Sequence, residues 1–302
     1  MTRLVTYSAK GAKSIGIELD EGILDLPQLS LHLKEEESLL GGAFPLEMKE
    51  LLSIDQSLET VRDMMYAYVA LPEKDRPALL SHKAIRLHAP IERPGKIVAL
   101  GLNYHDHIEE TGRDVPSFPV IFAKFPSSVV GPDDPIPMPR VSRKLDWEIE
   151  LGVIIGKRCK HASKDEALDY VAGYTILNDV SARDLQDDDD QWIRAKSLDA
   201  FCPMGPALVT CDELGDGSRL DLWTKVNGEM KQSSNTSSLL YGVTDIVEYL
   251  STSFTLEPGD VIATGTPSGV GDARVPPEYL QPGDEIELFV EGIGHLCNRV
   301  VG

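Results

Sequence analysis

The chain is poor in cysteine and in positive charge, and it has no long apolar run. Its four cysteines, Cys159, Cys202, Cys211 and Cys297, form no Cys-x-x-Cys pair. A chain of 302 residues buries enough apolar surface to fold without disulfide staples, so they are expected to be reduced. No apolar stretch approaches the ~20 residues of a membrane-spanning helix, and the opening MTRLVTYSAKGAKSIGIELD lacks the apolar core of a signal peptide. The expectation is a cytoplasmic protein with no membrane partner. Lysine and arginine number 29 against 49 aspartate and glutamate, a net charge of −20, which repels phosphate backbones and anionic lipid surfaces. Nucleic acid is excluded as an expected partner. Low-complexity sequence is confined to the four aspartates at 187–190, read as a solvated loop.

What is present suits a β-rich α+β chain in two parts. Residues 2–7, 14–19 and 21–27 read as short strands. Between 28 and 72 the period changes, with Leu51, Leu52, Leu58, Val61, Met64, Met65 and Tyr68 at helical spacing. The prolines and glycine of HAPIERPG then close a first unit near residue 90. The expected division is a small N-terminal α+β accessory domain, 1–90, and a larger domain, 91–302. In the larger part the pattern predicts helices over 103–111, 163–170 and 243–253, the second with Ser163 as N-cap and Glu166 three residues on. Strands separated by turns such as EPGD and QPGD account for the rest.

Three carboxylates stand out within this strand-like sequence. Glu148 and Glu150 lie two apart in LDWEIELGVIIG, and residues two apart on a strand project from one face, about 6–7 Å from each other. Their neighbours Trp147, Ile149, Leu151, Val153, Ile154 and Ile155 suit a buried strand. Two ionised carboxylates in a poorly solvated site must take up a proton or bind a cation. Asp179 follows another apolar run, Tyr174 to Leu177, and supplies a third oxygen if the two strands are neighbours. Three oxygens suit Mg2+ or Mn2+ and leave about three octahedral positions for water or substrate. The plainer reading of the same spacing is a row of exposed acids on a half-buried strand.

From about 95 to 301 the chain resembles the fumarylacetoacetate hydrolase family. The resemblance is carried by KIVALGLNYHDHIEE, LDWEIELGVIIGK, GYTILNDVSARDLQ, QWIRAKSLDAFCPMGPALV, VNGEMKQSSNT and LEPGDVIATGTPSGVG, in that order. Within the family it looks closest to the branch of fumarylacetoacetate hydrolase domain-containing protein 2, for which oxaloacetate keto-enol tautomerisation is implied. Related branches hydrolyse acylpyruvates or decarboxylate oxaloacetate. The resemblance implies the family's β-rich mixed-sheet roll and a homodimer. It places Glu148, Glu150 and Asp179 on the metal ligands, and His107 and Glu110 on a lid-helix dyad. Arg183 and Gln186 match positions that touch substrate or order the metal's surroundings. Lys196 matches the active-site lysine, and Thr266 falls where a backbone amide holds the substrate carboxylate. One departure is Leu102, where several relatives have arginine, so an anion contact is absent or moved.

The implied activity is that of a divalent-metal-dependent enzyme acting on a small 2-oxo acid through a stabilised enolate. The leading expectation is an acylpyruvate-type hydrolase of carbon-carbon bonds with oxaloacetate decarboxylase or tautomerase activity. The alternatives are a tautomerase without hydrolysis and an inactive dicarboxylate-binding protein. His107 and Glu110 sit three apart on the predicted helix and share a face, so the carboxylate can orient the imidazole. His105, His161 and His295 are read as structural. Arg183 has a plainer reading as the exposed partner of Asp184 or the aspartate run, worth about 0–1 kcal/mol, and Lys196 as a solvated lysine. The glycines at 265, 269 and 271 lack the Lys-Ser/Thr ending of a phosphate loop, which excludes nucleotide binding.

Overall fold

The computed structural model describes residues 2–33 and 44–302. In the first half of the chain the strands are β1 (Arg3–Ala9), β2 (Ala12–Leu19), β3 (Gly22–Asp25), β4 (Arg86–His88), β5 (Ile97–Gly101), β6 (Val120–Lys124), β7 (Val129–Val130), β8 (Pro135–Pro137), β9 (Leu145–Asp146) and β10 (Ile149–Ile155). The second half adds β11 (Val171–Asn178), β12 (Ser181–Ala182), β13 (Cys202–Thr210), β14 (Asp221–Val226), β15 (Glu229–Asn235), β16 (Val261–Ala263), β17 (Glu285–Val290) and β18 (Gly294–Val301). One large sheet runs β3-β2-β1-β13-β11-β10-β16-β5-β6, with β4 beside β1 and β7 beside β13; a second runs β15-β14-β17-β18-β8, and β9 pairs with β12 alone. Most neighbours are antiparallel, but three pairs run parallel, β16 with β5, β13 with β7 and β18 with β8. This is the expected α+β class, rich in β structure and mixed in strand direction.

Strand β10 lies inside the large sheet, and both of its faces are covered. Leu151, Val153 and Ile155 join a core with Leu222, Leu288 and Leu296 of the second sheet. Ile154, on the opposite face, packs with Leu4, Ile17, Leu51, Val61 and Met64. A strand covered on both faces needs no polar alternation, which is why this stretch reads as a nearly unbroken apolar run. Glu150 shares the parity of Ile154, so it is a buried acid on a buried strand. The residues before and after 90 share both structure and core: β1 pairs with β13 at Arg3 with Val209 and Leu4 with Leu208.

Several local expectations change. The strand predicted over 21–27 stops at Asp25, whose Oδ1 accepts the Gln28 amide at 2.7 Å and so starts the helix Leu26–Leu33. Helical periodicity from 28 to 72 resolves into that helix, Met48–Leu52 and Ser57–Ala70; the part at 34–43 lies outside the described residues. The helix predicted over 243–253 is found at Val243–Ser253, burying Val243, Ile246, Val247 and Leu250. That over 163–170 shortens to a 3-10 turn, Ala167–Tyr170. Glu166 does accept from the Ser163 amide and hydroxyl, at 3.1 and 2.6 Å. The Tyr170 carbonyl, however, is taken by the Gly156 amide at 2.7 Å, and the chain enters β11 at the next residue. All four cysteines are free. Among the described residues, no helix is long and apolar enough to cross a membrane.

Leu208 is fully buried on β13 opposite Leu4, where the N-terminal strands meet the rest of the sheet. Leu208→Ala is expected to cost ~2–5 kcal/mol, read as a lower urea midpoint with an unchanged slope.

Candidate active site

Two antiparallel strands bring the three carboxylates together. β10 and β11 pair with Ile149 opposite Asn178 and Glu150 opposite Leu177. Glu148 stands one residue before β10 and Asp179 one residue after β11. The Asp179 amide donates to the Glu148 carbonyl at 2.9 Å, and the Glu148 amide donates to Asn178 Oδ1 at 3.0 Å. Ligand oxygens of Glu148, Glu150 and Asp179 lie within 4.8 Å of one another. All three residues are buried, which removes the reading as exposed acids.

Buried cations offset most of this charge. Lys196 Nζ donates to Glu148 Oε2 at 2.7 Å and to Asp179 Oδ2 at 2.9 Å. Lys124, fully enclosed at the end of β6, donates to Asp179 Oδ1 at 2.5 Å and to the Lys196 carbonyl. The Arg183 guanidinium is shared between Asp146 Oδ2 at 2.8 Å and Glu148 Oε1 at 2.7 Å, and its Nη1 donates to Gln186 Oε1 at 3.0 Å. Arg183 is therefore a buried ion-pair partner and not the exposed mate of Asp184, which instead accepts from Ser142 Oγ and the Arg143 amide. Lys196 is likewise no solvated lysine. Of the aspartate run, Asp189 pairs with Arg194 at 2.5 Å, and Asp187, Asp188 and Asp190 are exposed.

The carboxylates differ in how well they are compensated. Burial pushes the Glu148 carboxyl up, but the Lys196 and Arg183 charges outweigh it and hold its pKa at about 2. Burial likewise raises Glu150, and the charges of Asp179 and Glu148 raise it further, leaving it well above the usual carboxylate range. Its Oε2 accepts the Gly265 amide at 2.7 Å, but among the described residues it has no ion-pair partner. Burial would lower the Lys196 ammonium, yet the Asp179 and Glu148 carboxylates raise it above its ordinary value. A group of three hard oxygen donors with one of them short of positive charge can hold a divalent cation.

A cavity of about 140 Å³ opens beside this group, lined among others by Leu102, His107, Arg113, Glu148, Arg183, Gln186, Trp192, Lys196 and Thr266. Eight of the nine residues named as candidates from sequence line the cavity or belong to the carboxylate group; the ninth, Glu110, contacts His107. Its Oε2 lies 3.2 Å from His107 Nδ1, and its Oε1 accepts the Gly269 amide at 2.9 Å. The helix His105–Thr111 is thereby tied to the GTPSGVG loop. Asp106 adds to the tie by accepting from Ser234 and Ser268 at 3.1 and 3.3 Å. The loop glycines permit close backbone approach. A Cβ on Gly269 would fall 2.1 Å from the Lys231 carbonyl, and one on Gly271 2.0 Å from that of Glu278. Thr266 Oγ1 accepts from Gln232 at 2.8 Å. His105 is exposed.

Sequence reasoning missed Lys124 and Asp146. Asp146 continues the alternation of Glu148 and Glu150, and it accepts from Arg183 and from the Gly271 and Asp272 amides at 2.7 and 2.9 Å. Lys124 closes the apolar stretch VIFAK, a pattern that also fits a lysine reaching into solvent.

Glu150→Gln is expected to leave the metal-free protein at least as stable as the parent, because the amide lifts a charge the site disfavours. If the three acids hold a divalent cation, the same change should reduce any rise in melting temperature on adding Mn2+. Glu148→Gln is expected to cost ~3–5 kcal/mol, since Lys196 and Arg183 would lose a buried partner. Equal stabilities of the two variants in metal-free melts would refute this charge balance.

Residues 96–301 match the family model described as fumarylacetoacetate (FAA) hydrolase C-terminal. Oxaloacetate tautomerase Fahd2a, mitochondrial, of Rattus norvegicus is 46% identical over 224 residues, 74% of this chain and 72% of that protein. Oxaloacetate tautomerase fahd2, mitochondrial, of Xenopus laevis is 40% identical over 306 residues, 99% of this chain and 90% of that protein. Both are named as mitochondrial, a compartment different from the cytoplasmic one expected here. The solved fumarylacetoacetate hydrolase of the psychrophile Exiguobacterium antarcticum superposes with a TM-score of 0.82 at 37% identity, covering 100% of both chains. With two thirds of its length matched and its whole fold shared, the chain belongs to the fumarylacetoacetate hydrolase family.

Proposed function

We propose that this protein is an oxaloacetate keto-enol tautomerase that works with Mg2+ or Mn2+. The observation that carries the reading is that Glu148, one of three clustered buried carboxylates, lines the same small cavity as a histidine held by a carboxylate. The activity named for the rat and frog relatives supports the substrate.

Keto-enol conversion moves one proton between C3 and the 2-oxygen and breaks no carbon-carbon bond. A divalent cation held by Glu148, Glu150 and Asp179 would supply a Lewis acid that stabilises negative charge on oxygen. Lys196 adds positive charge at the same wall of the cavity. Glu110 beside Nδ1 favours the tautomer with its proton there, which leaves Nε2 as a base. His107 Nε2 removes the C3 proton in one direction and returns it in the other. The proton on the 2-oxygen exchanges with water at the cavity mouth. Arg183, itself donating to Gln186, holds Glu148 in place, and Thr266 faces the cavity, where its backbone amide can meet the substrate's first carboxylate.

The His107–Glu110 contact also supports a second reading. The same base can activate water for attack on a distal carbonyl, and cleavage would then release pyruvate from an acylpyruvate. One preparation assayed for enol-oxaloacetate conversion, oxaloacetate decarboxylation and acetylpyruvate cleavage separates the possibilities. The expected result is fast conversion that is lost with EDTA, restored by Mg2+ or Mn2+, and accompanied by little pyruvate. Dominant cleavage would make the protein a hydrolase, and ligand binding with no turnover would make it a dicarboxylate-binding protein.

His107→Ala is expected to slow conversion by about 10²–10⁴-fold with an unchanged circular dichroism spectrum. A loss below tenfold would remove His107 from the proton transfer.

A further inference from the structure

Besides His107, three basic side chains line the cavity, Arg113, Arg183 and Lys196, and two of the three are already committed. Arg183 is spent on Asp146 and Glu148, and Lys196 on Glu148 and Asp179. Arg113 is exposed, and among the described residues its guanidinium has no hydrogen-bond or ion-pair partner.

The root of Arg113 is nevertheless fixed. Gly112 ends the helix His105–Thr111 in the left-handed region at φ 62°, and the Arg113 amide donates to the Ile108 carbonyl at 3.3 Å. Such a turn closes a helix end in a defined direction. It holds Arg113 in constant relation to His107 on the same helix.

The remaining wall offers a second anion little else. Leu100, Leu102, Phe122, Trp192 and Val270 supply apolar surface. Asp187 and Asp272 are acidic, with Asp272 engaged by the Tyr279 hydroxyl at 2.6 Å. A substrate held at the three-carboxylate end therefore finds one uncommitted cation for a distal carboxylate. A guanidinium matches a carboxylate through two parallel N–H donors.

We infer that Arg113 is the specificity-determining residue that reads the distal carboxylate and favours 2-oxo dicarboxylic acids over 2-oxo monocarboxylic acids. The inference rests on the proposed function for the end of the substrate held near the metal, and it adds what recognises the other end.

The test compares the parent with Arg113→Gln and Arg113→Lys in the presence of Mg2+. Oxaloacetate turnover is measured together with calorimetric binding of L-malate, which has a distal carboxylate, and oxalate, which has none beyond its chelating pair. Arg113→Gln should raise the KM for oxaloacetate and the Kd for malate about tenfold, with kcat and the Kd for oxalate unchanged. Arg113→Lys should recover part of the loss. Equal weakening of malate and oxalate, or no weakening of either, would overturn the inference. A parent that binds malate but does not turn over oxaloacetate would sink the tautomerase reading, while selective loss of malate binding in Arg113→Gln would still uphold Arg113.

Discussion

Burial of four neighbouring carboxylates is the constraint on which the rest of this structure depends. Asp146, Glu148, Glu150 and Asp179 are all enclosed, and moving such charges out of water costs several kcal/mol each unless they are paired. The cations that answer them come from distant parts of the chain. Lys124 closes β6, Arg183 opens the helix after β12, and Lys196 ends a short helix beyond the aspartate run. Their partners lie 17 to 55 residues away. Because these partners are far apart in sequence, the pairs depend on the tertiary fold that brings them together.

The balance is left slightly short. Four acids face three cations, and the deficit falls on Glu150, which burial and its acidic neighbours hold well above the normal range. In the proposed metal-bound site a dication would reverse the local sign. That reversal matters in a protein of net charge −20, whose surface would repel the proposed dianionic substrate. The attraction must come from inside the cavity, where low polarity strengthens it.

Much of this was legible in the residues, and the failures have physical causes. Glu148 and Glu150 could be paired from strand spacing because β10 is extended and enclosed on both faces. Asp146 follows the same spacing but sits beyond an apolar stretch, so nothing marked it as buried. Arg183 drew attention to its sequence neighbour Asp184, whereas its partners are set by β9 and the approach to β10. The amphipathic stretch at 243–253 could form its helix because one face had a core to meet. Ser163 and Glu166 made their capping contact, yet strand pairing at Gly156 and Tyr170 ended the helix after one turn. Local signals were decisive only where no longer-range backbone bond competed with them.

The bond from the Asp179 amide to the Glu148 carbonyl has a consequence for how such a site can vary. Two of the three acids are set apart by sheet register, a distance that changes only in whole-residue steps. A slip of one residue would turn a carboxylate to the opposite face, so the backbone admits no graded adjustment of the opening between them. In the proposed metal site, selection among cations of different size would be left to side-chain torsions and to the lysines behind them. The strands act as a gauge with fixed marks, and drift in the surrounding sequence can alter what enters the cavity while the spacing of the acids stays the same.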